Sequence, residues 1–184
     1  IGVLATVAVL GLMLRGAQGV LIPFAPERAL GAQPGNDAAA RFMLSERLDD
    51  PILNNYDIGG YLIFHVFPQH RVFVDNRPEA YSIGFFRDVY VPLQDDEAKW
   101  REVDARYHFQ TIVFQRNDVT PWAQKFLIAR VRDPAWAPVF VDANTLVLVR
   151  RTERQADLIR RYEIPQDRFR VANPSTSRAG VELH

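Results

Sequence analysis

Two short runs constrain this chain of 184 residues more than anything else in it. Residues 111–114 (TIVF) and 145–149 (TLVLV) are apolar on both faces that a strand presents. A strand with one wet face alternates polar and apolar residues, whereas one covered on both faces does not. Both runs are therefore expected inside a sheet with other elements packed on either side. The flanking segments supply helices for that role. Trp100, Val103 and Tyr107 recur at i, i+3 and i+7, which predicts an amphipathic helix over residues 95–107. Thr120-Pro121 reads as a helix start, with Trp122, Phe126 and Ala129 facing one way. Asp142-Ala143-Asn144 separates residues 139–141 from 145–149 and signals a hairpin. Residues 153–162 read as a charged helix with Ala156, Ile159 and Tyr162 on one side.

Nearer the start, Asn36 is a candidate N-cap and Asp37 a first-turn acid for a helix reaching Leu48. Residues 61–66 and 71–74 are rich in aromatic and β-branched residues, and Pro68-Gln69-His70 punctuates them, so they read as two strands. The order helix, two strands, helix, strand, helix, hairpin, helix defines an α/β fold: a small mixed sheet covered by helices.

Residues 1–14, IGVLATVAVLGLML, carry no charge. As a helix they span about 21 Å, short of the roughly 30 Å hydrocarbon core of a bilayer. The chain begins at Ile1 and not Met, which predicts a longer protein whose upstream residues make up the difference. Continuation to Ile22, with Arg15 snorkelling, makes it up as well. The end of a transmembrane helix over residues 1–22 is expected, in preference to a buried core helix, since no polar face is present. A signal peptide fits less well, because a basic leading region is missing and Ala17-Gln18-Gly19 is a poor cleavage site. Pro23, Pro26 and Pro34 with Gly31 and Gly35 make residues 23–35 a linker. The α/β domain is expected over residues 36–172, followed by a loose polar tail over 173–184.

Charge excludes one function class. The 22 basic and 22 acidic residues balance, which argues against a nucleic-acid binder. With no cysteine, neither a disulfide framework nor a thiolate metal site is available. Of the basic residues all but Lys99 and Lys125 are Arg, and the arginine-rich stretch 150–170 reads as a solvated helix face. Familiar catalytic signatures are missing. Ser82-Ile83-Gly84 lacks the leading glycine of a nucleophile elbow. Gly59-Gly60 is followed by no G-K-[ST], and no H-E-x-x-H occurs. His65, on a strand, reads as a packed residue and not a metal ligand; His108 reads as a surface residue near a helix end. No cofactor and no metal are expected.

The chemistry concentrates in residues 54–81, NNYDIGGYLIFHVFPQHRVFVDNRPEAY. Gly59-Gly60 read as a sharp entry turn, with Asn55 and Asp57 just before it. Asp75, Asn76 and Arg77 follow the end of the expected second strand, where ligands gather in open α/β sheets. Pro78 holds Arg77 extended. Two readings stay open at this point. Asp57 and Asp75 either anchor a buried polar network, Asp75 pairing with Arg77, or share recognition of a hydroxyl-rich ligand.

This stretch resembles a family. Asn55, Gly59, Gly60, Tyr61, Leu62, Pro68, then Val72, Phe73, Val74, Asp75, Arg77 and Tyr81 resemble the C-terminal extracytoplasmic domain of bacterial glycosyltransferase C (GT-C) superfamily membrane proteins of the protein mannosyltransferase-like kind. The resemblance covers residues 36–151. More distantly, Asn55-Tyr56-Asp57-Ile58-Gly59 with Val74-Asp75-Asn76 is similar to the W-W-D-Y-G and V-D-N motifs of oligosaccharyltransferase catalytic subunits, with both tryptophans replaced. The resemblance implies a bacterial inner-membrane protein whose soluble part is extracytoplasmic. It implies transfer of a sugar from a polyprenyl-phosphate donor to a glycan or lipid acceptor, with the catalytic carboxylate in an upstream transmembrane portion outside this sequence. Asn55, Asp57, Asp75, Arg77 and Tyr81 would then bind substrate at the face toward that portion. The alternative is a membrane-anchored cell-envelope binding or assembly module without transferase activity.

Overall fold

The structure is a computed structural model, and it describes residues 37–171 and 181–183. The chain divides between Gln33 and Pro34, and the second unit holds every described residue. The expected transmembrane segment and linker lie outside the described residues. Among those described, no helix is long and apolar enough to cross a membrane.

Helix α1 (Asp37–Ser45) opens the domain, its Ala39, Ala40 and Met43 buried and Asp37 paired with Arg41 one turn on. It ends in Arg47 at φ 51°, with Leu48 N–H donating to the Met43 carbonyl and Arg47 N–H to that of Leu44. These bonds satisfy helix-end carbonyls in the Schellman manner, with Arg where glycine is usual. Strand β1 (Ile52–Asn54) follows and is buried throughout. Helix α2 (Tyr56–Val66) comes next, then a long excursion of short helical turns to Asp95 and helix α3 (Glu97–Tyr107). Asp96 caps α3 by accepting from Lys99 N–H, and the exposed His108 ends it at φ 54°. Strand β2 (Thr111–Gln115), helix α4 (Pro121–Arg132), the hairpin of β3 (Trp136–Val141) and β4 (Thr145–Arg150), and helix α5 (Ala156–Tyr162) complete the main body. The short β5 (Phe169–Val171) pairs antiparallel with β6 (Val181–Leu183), which falls within the stretch expected to be loose; residues 172–180 and 184 lie outside the description.

The sheet is mixed, in the order β1-β2-β4-β3. β1 runs parallel to β2, with Leu53 beside Ile112; β4 is antiparallel to both β2 and β3. Thus TIVF and TLVLV form the two central strands, and an α/β architecture is what their two-sided apolar character demanded. Pro138 is accommodated because β3 is an edge strand with a bulge between Pro138 and Phe140. Alternation in the central strands builds two cores. Val113, Val147 and Val149 meet Met43, Ile58, Leu62 and Leu158 on one face. Ile112, Phe114, Leu146 and Leu148 meet Trp100, Phe126, Leu127 and Val131 on the other. Each fully buried side chain of this size contributes about 1.5–3 kcal/mol.

Three expectations fail between residues 56 and 74. Residues 61–66, expected as a strand, belong to α2. Their aromatic richness masks a helical stripe: Ile58, Leu62 and Val66 recur every fourth residue and all are buried. Residues 71–74 join no sheet. Gly59-Gly60 lie inside α2 and form no entry turn. The strand actually present, Ile52–Asn54, is three residues long and escaped notice behind Pro51. On α4 the buried face is Ala123, Phe126, Leu127, Arg130 and Val131, so Trp122 and Ala129 sit beside it and only half-buried.

Candidate functional site

The site is built where β1 and β2, running parallel, end side by side. Asn54, the last residue of β1, is fully buried. Its Oδ1 accepts from Phe73 N–H (2.8 Å) and Val74 N–H (3.4 Å), and its Nδ2 donates to the carbonyls of Val74 (2.7 Å) and Asn55 (2.9 Å). One side-chain amide thus does for residues 73 and 74 what a neighbouring strand would do. The next residue, Asn55, stands at the N-cap of α2 but does not cap it. Its Oδ1 accepts from Gln115 N–H (2.9 Å) at the end of β2, and its Nδ2 donates to Asp118 Oδ2 (3.1 Å). Asp118 Oδ1 also accepts from the Thr120 N–H and hydroxyl (2.9 and 2.7 Å). Tyr56 N–H donates to the buried Tyr90 hydroxyl at 2.7 Å.

These bonds hold open a cleft of about 240 Å³. Tyr56, Phe86 and Trp122, all half-buried, and Tyr90 give it aromatic walls; Asp57 and Asp118 bring two carboxylates. Tyr56 and Phe86 meet edge to face with centroids 5.8 Å apart, as do Phe86 and Tyr90. Partial burial, helped by the negative charge of Asp118, raises the pKa of Asp57. Burial drives the Tyr90 phenol well above its ordinary value.

A second network lies behind the first. The Asp75 carboxylate, almost fully buried, accepts from Arg77 Nε and Nη2 at 2.8 Å each, from Arg77 N–H at 3.0 Å and from the Tyr81 hydroxyl at 3.0 Å. Asp75 N–H donates in turn to the Tyr81 oxygen at 3.0 Å. The Arg77 hydrogen bonds hold the Asp75 carboxyl below the usual carboxylate range, and Asp75 raises the Arg77 guanidinium in return. Burial raises Tyr81. Every strong acceptor position of Asp75 is already in use within this network.

Of the five residues singled out in the sequence, only Asp57 lines the cleft. Asn55 lies beneath it and fixes Asp118; Asp75, Arg77 and Tyr81 bond to one another and line none of it. Tyr56, Phe86, Tyr90, Asp118 and Trp122 were missed. The signal for Asp118 was present, since the rule that ligands gather at carboxyl ends of strands applies to TIVF as well. His65 is a packed residue on a helix, its ring 4.2 Å from Tyr61 and 4.9 Å from Phe64. Among the described residues, no group of three or more His, Asp or Glu is placed to hold a metal.

A larger cavity of about 440 Å³ lies beyond the amino end of β1, among Arg47, Asp49, Asp50, His70 and Arg154. Four of its side chains pair internally, His70 Nδ1 with Asp50 at 3.2 Å and Arg154 with Asp49 at 2.8 Å, while Arg47 has no ion pair among the described residues. The cleft differs in its aromatic walls, and there the Asp57 carboxylate has no hydrogen-bond partner among the described residues. Comparison of the chain with protein-family models, with curated proteins and with solved structures found no match.

Proposed function

We propose that this chain supplies the extracytoplasmic domain of a GT-C-like membrane glycosyltransferase of the bacterial inner membrane. The intact enzyme moves a sugar from a polyprenyl-phosphate donor to an acceptor outside the cytoplasm. This domain provides substrate contacts beside the transmembrane portion of the same protein, and the catalytic carboxylate belongs to that portion. The reading rests on the motif over residues 55–81 together with one observation: Asn55 and Asn54 tie the ends of β1, β2 and residues 73–74 together beside an aromatic cleft whose Asp57 carboxylate is unpaired among the described residues. Aromatic faces beside acceptor groups suit sugars, whose rings carry both C–H faces and hydroxyl donors. Asp75 is bound by Arg77 and Tyr81, so its role is to shape the platform and not to attack or deprotonate substrate.

The test is transfer of labelled sugar from a polyprenyl-phosphate donor in membranes containing the intact protein. Asp75→Ala is expected to reduce transfer per molecule more than it reduces the amount of protein in the membrane. Absence of transfer by the unaltered protein would reject the reading and leave the binding or assembly module.

A further inference from the structure

We propose that the cleft between the first turn of α2 and residues 118–122 binds a single neutral sugar ring, its C–H face on the aromatic walls and its hydroxyls donating to Asp57 and Asp118. The proposal rests on the sugar-handling function above and names the ligand class and the residues that take it. Three features of the cleft converge on it. First, Tyr56, Phe86 and Trp122 are half-buried, and they offer ring surface without forming a closed core. Such surface is matched by the apolar side of a pyranose.

Second, hydrogen-bond capacity is left over. Asp57 has no hydrogen-bond partner among the described residues, while Asp118 Oδ2 is met there by Asn55 Nδ2 alone. An ionised carboxylate has about four acceptor sites, so both retain room for hydroxyl donors. Third, donors are present too. Because the Asn55 side chain is turned to Gln115 and Asp118, it caps none of the first-turn N–H groups of α2. Tyr56 N–H donates to the Tyr90 hydroxyl, and the N–H groups of Asp57 and Ile58 have no acceptor within the helix. A ligand that both donates and accepts, and has an apolar face, meets all three. Two carboxylates repel a phosphate or carboxylate ligand. A metal ion finds too few ligands, and an organic cation has no use for the N–H groups.

The 184-residue chain is titrated in detergent with methyl α-mannoside, methyl β-glucoside and N-acetylglucosamine, and separately with choline, calcium chloride and inorganic phosphate. Calorimetry and tryptophan fluorescence read binding. Trp100 and Trp136 are buried in the core, so the change reports on Trp122. At least one sugar is expected to saturate with a Kd on the order of 1 mM, and Asp57→Asn and Trp122→Ala are each expected to weaken it about tenfold. Trp122→Phe, which keeps a ring, is expected to bind within about threefold of the unaltered chain by calorimetry, and it serves if Trp122→Ala does not fold. The proposal is overturned if no sugar saturates by about 50 mM, if choline or calcium saturates where sugars do not, or if Asp57→Asn binds sugar unchanged. Transfer in membranes without sugar binding here would remove this proposal alone. Sugar binding without transfer would remove the transferase reading alone.

Discussion

Gly59 lies directly under Val74: a Cβ on Gly59 would sit 2.1 Å from the Val74 carbonyl oxygen and 2.5 Å from Asp75 Cα. Backbone meets backbone there, so neither side has a rotamer with which to give way. In an ordinary helix interior Gly→Ala gains up to about 1 kcal/mol. Here Gly59→Ala is expected to cost about 3 kcal/mol or more by displacing residues 74 and 75. Urea denaturation measures it, and a stabilised variant would contradict the close approach.

Asn54 is the other clamp on the same loop. Asn54→Ala leaves the Phe73 and Val74 N–H groups and the Val74 carbonyl without their side-chain partner. Buried groups orphaned in this way cost about 1–3 kcal/mol each, less where water enters. The expected outcome is a loss of about 3 kcal/mol, with hydrogen exchange faster at Phe73 and Val74 than in β2. Uniform exchange throughout would mean that the clamp acts on the whole fold.

Asp75 gives the domain an acid-sensitive element. Its folded pKa is depressed below the ordinary 3.8 by Arg77. The stability it contributes is therefore fully present above the unfolded value and is lost as pH falls through the folded one. Asp75→Asn is expected to lower stability at pH 7 by about 2 kcal/mol, a figure discounted because the Arg77 side chain is 63% exposed. As pH falls below the ordinary carboxylate value of 3.8 the difference from the unaltered chain is expected to shrink. A difference independent of pH would assign the loss to packing.

Asp57 behaves in the opposite sense. Its folded pKa is raised, so the folded state holds its proton more tightly, and stability falls as pH climbs from the unfolded value through the folded one. Asp57→Asn removes that cost. A gain of a few tenths of a kcal/mol is expected at pH 7, since solvent screens a carboxyl this exposed, and none below about pH 3. Thermal melts at the two pH values test it. A variant that gains stability while losing sugar binding marks a side chain kept for the ligand.

The central strands and the helices over the opposite face were legible because their patterns are local. TIVF and TLVLV are two-sided, α3 carries an i, i+3, i+7 stripe and α4 begins at Thr120-Pro121. The stretch 52–74 was misread because its aromatic and β-branched residues favour strands, while its geometry is set by distant partners. Asn54 reaches residues 73 and 74, and Gly59 is required by Val74, neither of which any window around α2 contains. The same holds for the site. Asp57 stood out by its neighbours in sequence, but Asp118 and Trp122 join it only across the β1–β2 pairing, some sixty residues on. For Asp75 and Arg77 the sequence left pairing and ligand recognition open; they pair, and that pairing withdraws them from the cleft.

The most direct measurement is the backbone amide spectrum of the 184-residue chain in detergent, titrated with a short-chain polyprenyl-phosphate sugar. The expected result is saturable shifts at residues 56–58, 86–91 and 116–122, which surround the cleft at the carboxyl ends of β1 and β2. Residues 47–50 and 69–70, at the opposite cavity, are expected to stay fixed. Shifts confined to that opposite cavity, or a dispersed spectrum that the lipid-linked sugar leaves unchanged, would contradict a sugar-handling role for this end of the sheet.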